Sequence, residues 1–198
     1  MIIDLKQRVN ELTNTSSDIN EHFPAIIKYG SQCNHITEMG VRGIISTWGW
    51  LATNPKKLVA YDIQHPSTWG GSLIDVEDTA NHIGTKFEFN LANVLDVVIE
   101  ETDLLFIDTW HSYKQLTAEL KLHASNVNKY ICFHDTTSYA TVDENSYEIW
   151  GDEWKAEGVG IWKAIEEFLE NNKEWSLEER FMNNNGFTVI KRKEKNEL

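Results

Sequence analysis

"LLFIDTWHSY", residues 104 to 113, decides how the chain is read. Four apolar residues run into Asp108, then Trp110, His111 and Tyr113 follow before a helical pattern begins near residue 112. A short, wholly apolar run that turns at once into a helix fits a strand covered on both faces, as in a parallel sheet whose crossovers are helices. The carboxylate therefore falls at the carboxyl end of a buried strand.

Working outward, the same texture recurs. "HITEMG", "KLVAYDI" and "KFEFN" precede it as strands, and "KYICF" follows it, with helix-like segments between them. "IISTWGWLA" is stopped by Asn54-Pro55, and Leu73, Val76, Ala80 and Ile83 are spaced for a helix closed by Gly84. Another helix is expected over about 112 to 125. The tail differs: "GVGIWKAIEEFLENN" is an amphipathic helix, and "WSLEERFM", "NNNG", "FTVIKRK" reads as a hairpin around an Asn/Gly turn. Before the first strand, Ile2, Leu5, Val9 and Leu12, and then Ile19, Phe23, Ile26 and Ile27, mark two short helices.

The expected fold is α/β, doubly wound and Rossmann-like, with a mostly parallel seven-stranded sheet and a C-terminal antiparallel hairpin. Residues 1 to 30 form a helical extension serving as lid or interface, and residues 31 to 198 form the main domain.

Composition narrows the function. With 31 acidic against 18 basic side chains the formal net charge is -13, which repels phosphate-rich surfaces and argues against nucleic acid or anionic membrane as partners. The N-terminus offers no signal-peptide core, and no segment approaches the roughly 20 apolar residues of a membrane span, so a cytoplasmic protein is expected. Cys33 and Cys132 are too few and too far apart for a disulfide framework or a metal-binding spacing.

In open α/β sheets ligands bind beyond the carboxyl ends of the strands. Those ends carry Glu38 with Gly40 and Gly43, Asp62, Asn90, Asp108, and His134 with Asp135. Any one of these could simply cap the next helix, but together they suggest a site. The turn Glu38-Met39-Gly40-Val41-Arg42-Gly43 lets a ligand approach backbone, and Asp62, 22 residues after Gly40, sits where an acid grips ribose hydroxyls. Asp108 and Asp135 converge as hard oxygen donors for a cation such as Mg2+, with His134 either a third ligand or a buried hydrogen-bonded ring. His111, whose type has an ordinary pKa of about 6.5, suits general-base work, and Trp110 offers a flat wall for a purine. The long irregular stretch over residues 136 to 158, with Trp150, Trp154 and several acids, lines an acceptor pocket or anchors itself to the core.

The order Glu38-x-Gly40, Asp62, Asp108-x-x-His111-x-Tyr113, His134-Asp135-Thr136, "GVGIWKAIEEFL" and "NNNGFTVI" resembles class I S-adenosylmethionine-dependent methyltransferases over residues 30 to 192. More narrowly it is similar to the metal-dependent branch containing catechol-type and macrolide-sugar O-methyltransferases, methyltransferase family 24. The resemblance implies that Glu38, Gly40, Val41, Arg42 and Ser46 hold the methionine portion of the cofactor. It implies that Asp62 holds the ribose and that Asn90, Asp108 and Trp110 border the rest. Asp108, His134 and Asp135 would be metal ligands, His134 standing where relatives carry an acid. His111, Asp108 and His134 would form the catalytic set, with His111 where catechol-type enzymes have a lysine base. The implied acceptor is a hydroxyl on a small molecule or saccharide, and a homodimer is expected. A metal-independent enzyme using His111 or His134 alone, or a cofactor-binding relative without turnover that works through a partner, fits the same residues. The absence of G-x-S-x-G and G-x-x-x-x-G-K strings argues against a hydrolase or P-loop enzyme.

Overall fold

The computed structural model describes residues 1–146, 151, 155–156 and 158–193. Seven strands form one sheet: β1 (His35–Met39), β2 (Lys57–Asp62), β3 (Lys86–Leu91), β4 (Thr102–Ile107), β5 (Val127–His134), β6 (Trp175–Phe181) and β7 (Phe187–Arg192), in the order β3-β2-β1-β4-β5-β7-β6. The first five pair in parallel, and β7 joins β5 and β6 antiparallel, as the Asn/Gly turn predicts. The chain reverses between β1 and β4, which leaves a crevice above their carboxyl ends.

The crossovers are α3 (Ile45–Ala52), α4 (Leu73–Ile83) and α5 (Tyr113–His123), with α6 (Ile161–Asn171) leading into the hairpin. Burial explains the apolar strands: Leu104, Leu105, Phe106 and Ile107 face alternately into two cores. The first core, with Ile36, Trp50, Leu58 and Phe106, lies under α3 and the N-terminal helices α1 (Leu5–Asn14) and α2 (Phe23–Gly30). The second, with Met39, Leu105, Leu120, Ile131 and Ile165, lies under α5 and α6.

Between α1 and α2 the chain is stitched to distant strand ends. Asn184, in the turn between β6 and β7, donates through Nδ2 to the Ser17 carbonyl (2.8 Å), and its Oδ1 accepts the Glu21 N–H (3.0 Å). Its carbonyl meets Nε2 of the buried His22 (3.0 Å). Among the described residues, no helix is long and apolar enough to cross a membrane.

Candidate active site

The glycine turn after β1 is built by its neighbours. Gly40 has φ +84°, and a Cβ there would lie 1.9 Å from the Asp108 carbonyl oxygen, so β1 and β4 can close together only over a glycine. Arg42 and Ile44 are also left-handed, at φ 45° and 60°, a conformation that costs an L-residue roughly 1–2 kcal/mol. Asp62 holds Arg42 there, and the Ile44 N–H donates to the Val41 carbonyl (2.8 Å). Asp62 Oδ2 accepts the N–H groups of Val41 and Arg42, both at 2.8 Å, and its Oδ1 accepts that of Gln64 at 2.8 Å. A carboxylate has about four acceptor positions, so Asp62 shapes the turn first and keeps about one position for a ligand hydroxyl.

Glu38 departs from the reading of the sequence. It does not line the cavity; the side chain points under α3 and is fully buried, taking hydrogen bonds from Ser46 Oγ (2.6 Å) and Thr47 Oγ1 (2.7 Å). Its part is to tie the first turn of α3 to β1. Burial pushes its carboxyl up to about 8, against the pull of the two hydroxyls and with the negative charges of Asp108 and Asp62 adding to the rise. A folded pKa above the ordinary 4.5 means that the folded state keeps a proton the unfolded state has lost. The contribution of Glu38 to stability should therefore fall as pH rises from about 4.5 to 8 and level off above that. Glu38→Gln is expected to flatten this slope and to stabilise the protein at pH 8 by on the order of a few kcal/mol, read from urea unfolding at pH 5, 7 and 8.5. A pH slope between about 5 and 8.5 as steep as that of the wild type would rule this out.

A cavity of about 670 Å³ opens over the turn, within the size range of small-ligand sites. Gly40, Val41, Arg42 and Ser46 line it, and so do Asp62 and Trp110. Asn90 does not: β3 runs one residue further than its sequence suggests, pairing Leu91 with Asp62, and the following residues 92 to 94 supply that wall instead. Trp110 is fixed by donation from Nε1 to the Glu144 carbonyl (2.8 Å). Asp18 and Ile19, from the N-terminal extension, also line the cavity, and Asp18 reaches the Arg42 guanidinium at 3.5 Å.

The same cavity contains Asp108, His111 and Asp135. Adjacent strands β4 and β5 bring the two carboxylates together, and Nε2 of His111 lies 3.2 Å from Asp108 Oδ1 and 3.0 Å from Asp135 Oδ2. Asp135 is left-handed at φ 58°, in the turn that leaves β5. Nδ1 of His111 faces Glu144 Oε2 at 2.9 Å. Burial lowers the His111 pKa, but hydrogen bonds to Asp108, Asp135 and Glu144 outweigh it and hold it well above 6.5. His134 is likewise depressed by burial and lifted by Asp108 and Asp135, to about 10. In turn the two imidazoliums overcome burial and keep both aspartates below the usual carboxylate range. The three carboxylates around His111 thus favour its protonated form more than its residue type alone suggests.

The ligand set also shifts. Among the described residues, the group whose ligand atoms lie within 4.8 Å of one another is Asp108, His111 and Asp135. His134, expected as the third ligand and a catalytic group, is outside it: the ring is buried, with Nε2 against the Asp18 carbonyl (2.9 Å) and Nδ1 against Asp135 (3.2 Å) and Asp108 (3.4 Å). It braces the carboxylates from beneath. Two carboxylates and an imidazole fit a divalent cation, and the nitrogen favours manganese, iron or zinc over Mg2+.

Asp143 and Glu144 were not singled out from the sequence, where they are two acids in an aperiodic stretch. Asp143 is buried and accepts the N–H groups of Tyr113 (2.9 Å), Gly160 (2.8 Å) and Gly158 (3.1 Å), which ties the stretch to the start of α5. Trp150 and Trp154 lie outside the described residues.

No protein-family model matches the chain, and no curated protein does so. Solved structures do. A Corynebacterium glutamicum protein matches with a TM-score of 0.63 at 13% identity, over 96% of this chain and 88% of that one. The O-methyltransferase from Bacillus cereus, in complex with SAH (S-adenosylhomocysteine), matches with a TM-score of 0.58 at 12% identity, over 96% and 90%. An SAH-bound Podospora anserina methyltransferase matches with a TM-score of 0.55 at 16% identity, over 98% and 89%. The chain therefore has the Rossmann-like fold of these proteins, two of which are methyltransferases with SAH bound.

Proposed function

We propose that the protein is an S-adenosylmethionine-dependent methyltransferase that methylates a hydroxyl on a small molecule or saccharide with help from a divalent cation. One observation carries the reading: a single cavity joins the glycine turn and Asp62 to the Asp108, His111 and Asp135 cluster. The first half suits an adenosyl ligand without a pyrophosphate, and the second suits a hydroxyl that must lose a proton. The shared fold with SAH-bound methyltransferases supports the same cofactor.

The cofactor supplies a methyl group on a sulfonium sulfur, which passes to the acceptor oxygen while the S–C bonding electrons return to sulfur as a thioether. The chain's work is mainly to hold two reactants in line. Gly40 to Gly43 and Ser46 cradle the donor, Asp62 offers an acceptor to its ribose, and Trp110 gives its base a flat wall. His111 takes the acceptor's proton at Nε2. Asp108 and Asp135 would hold the cation, which would supply Lewis-acid polarisation of the acceptor hydroxyl there, with His111 beside them as the base rather than a third ligand. His134 and Glu144 keep the cluster in place.

Calorimetric titration of S-adenosylmethionine tests this. Micromolar binding is expected, and the acceptor-dependent formation of S-adenosylhomocysteine should fall in chelator and return with Mg2+ or Mn2+. No binding in either condition would remove the methyltransferase reading. Transfer undiminished in chelator would keep the enzyme and remove the cation.

A further inference from the structure

Glu119, in the middle of α5, is fully buried, and its carboxyl takes two hydrogen bonds on one oxygen and none on the other. Oε1 accepts the Thr109 hydroxyl (2.6 Å) and the side-chain N–H of Gln115 (2.8 Å), while Oε2 has no partner among the described residues. Burying a carboxyl with one oxygen unsatisfied is costly, which points to a task that an apolar side chain could not perform. Both of its partners line the cavity, one on each side of Trp110 in the chain.

Three side-chain amides line that cavity, and two have committed their oxygens. Gln64 Oε1 accepts Trp69 Nε1–H (3.0 Å), and Asn93 Oδ1 turns back to the Leu95 N–H (3.0 Å). Gln115 differs. Its Nε2 is spent on Glu119, and its Oε1 has no partner among the described residues. The protonation of Glu119 does not alter this: ionised, it only accepts, and protonated, it carries the hydrogen on Oε2, because Oε1 already takes two donors. The first turn of α5 abuts the wall made by residues 92 to 94, since Leu116 and Val94 share one core and His123 Nε2 lies 2.9 Å from the Val94 carbonyl. Gln115 therefore belongs to the part of the cavity walled by Trp110 and those residues.

We propose that Gln115 is the specificity-determining residue for the base of the methyl donor, its Oε1 accepting a hydrogen bond from the exocyclic amino group of adenine, and that Glu119 is the positioning residue that keeps the amide that way round. A fixed neutral acceptor suits an amino group. A base with an oxo group there would set oxygen against oxygen, and one with only hydrogen would leave the acceptor unpaired. The identity of the ligand rests on the methyltransferase reading; the orientation of the amide does not.

The test is calorimetric titration of the full chain with S-adenosylhomocysteine and with its analogue in which unsubstituted purine replaces adenine, so that only the 6-amino group is missing. Wild type should bind the adenine compound at least about tenfold more tightly, the order of one well-made hydrogen bond. Gln115→Leu should bring the two affinities within about twofold of each other by weakening the adenine compound alone. Glu119→Leu should cut the ratio several-fold, and Glu119→Gln, whose amide oxygen accepts the same two donors, should restore it. Where Glu119→Leu fails to fold, the Gln115 variant, on the cavity wall, still decides. A wild-type ratio near one, or a ratio that survives Gln115→Leu, would overturn the proposal, and a ratio untouched by Glu119→Leu would overturn the positioning role. Binding of neither compound would remove the methyltransferase reading, whereas binding of both without discrimination would remove the Gln115 assignment alone.

Discussion

Replacing His111 by alanine is expected to lower methyl transfer by about 10²- to 10⁴-fold, the usual contribution of a positioned general base. S-adenosylmethionine affinity should change by well under tenfold, less than about 1.4 kcal/mol. The two effects separate because the ring meets Asp108, Asp135 and Glu144, while the cofactor cradle is made by the turn after β1 and by Asp62. Removing the imidazole also leaves three carboxylates facing one another, so His111→Asn, which keeps a polar group there, is the partner variant that shows whether repulsion alone is responsible. Transfer is followed as S-adenosylhomocysteine formed with phenolic and saccharide acceptors, and affinity by calorimetry. Equal loss of both quantities would sink the base assignment, and so would undiminished transfer in either variant.

Gly40→Ala should be the most damaging single-methyl change in the protein. The added carbon would stand 1.9 Å from the Asp108 carbonyl oxygen and 2.6 Å from its carbon, and both are backbone, so no rotamer relieves the overlap. The positive φ of 84° adds its own penalty. β1 must retreat from β4, taking with it the hydrogen bond from Asp108 N–H to the Met39 carbonyl (2.8 Å). A loss of about 4 kcal/mol or more is expected, at the extreme of single substitutions, together with loss of cofactor binding. Gly43→Ala is the control in the same turn. Its nearest neighbour would be the Trp69 carbonyl oxygen at 3.7 Å, and its stability should change by no more than about 0.5 kcal/mol. Urea unfolding of the two variants side by side decides it: similar losses would show that the turn's composition, not the β1–β4 contact, sets the cost.

Strands β2, β4 and β5 were legible because each holds an apolar run, LVA, LLFI and YICF, a pattern forced by burial on both faces, and the hairpin because "NNNG" must supply positive φ, as Asn184, Asn185 and Gly186 do. Once the strands are placed, parallel pairing puts Asp108 beside Asp135, so that half of the site followed from the fold. The orientation of the two histidines did not follow. His111 and His134 are equally plausible ligands on paper, and what the sequence could not place is the Asp18 carbonyl, 116 residues away, which takes Nε2 of His134 and leaves only its buried Nδ1 against the aspartates. Glu38 was misplaced for a related reason: a strand end has two faces, and here the acid points to the one covered by Ser46 and Thr47. Glu144 left no trace because hydrogen bonds made by an aperiodic segment have no period to detect. An Asp-Glu pair in an acidic chain is unremarkable until its coordinates are known.

The stitching of residues 17 to 22 onto Asn184 bears on when the protein becomes competent during its own synthesis. The segment that walls the cavity through Asp18 is made before the turn that fastens it, which follows 162 to 167 residues later. At ribosomal rates of about 5–20 residues per second, the first segment waits on the order of ten seconds for its fastener. During that interval β1 to β5 can assemble, but the roof over His134 has nothing to fasten it. A nascent chain is therefore expected to be unable to trap cofactor until the hairpin emerges, which delays competence until the sheet that must bear the chemistry is complete.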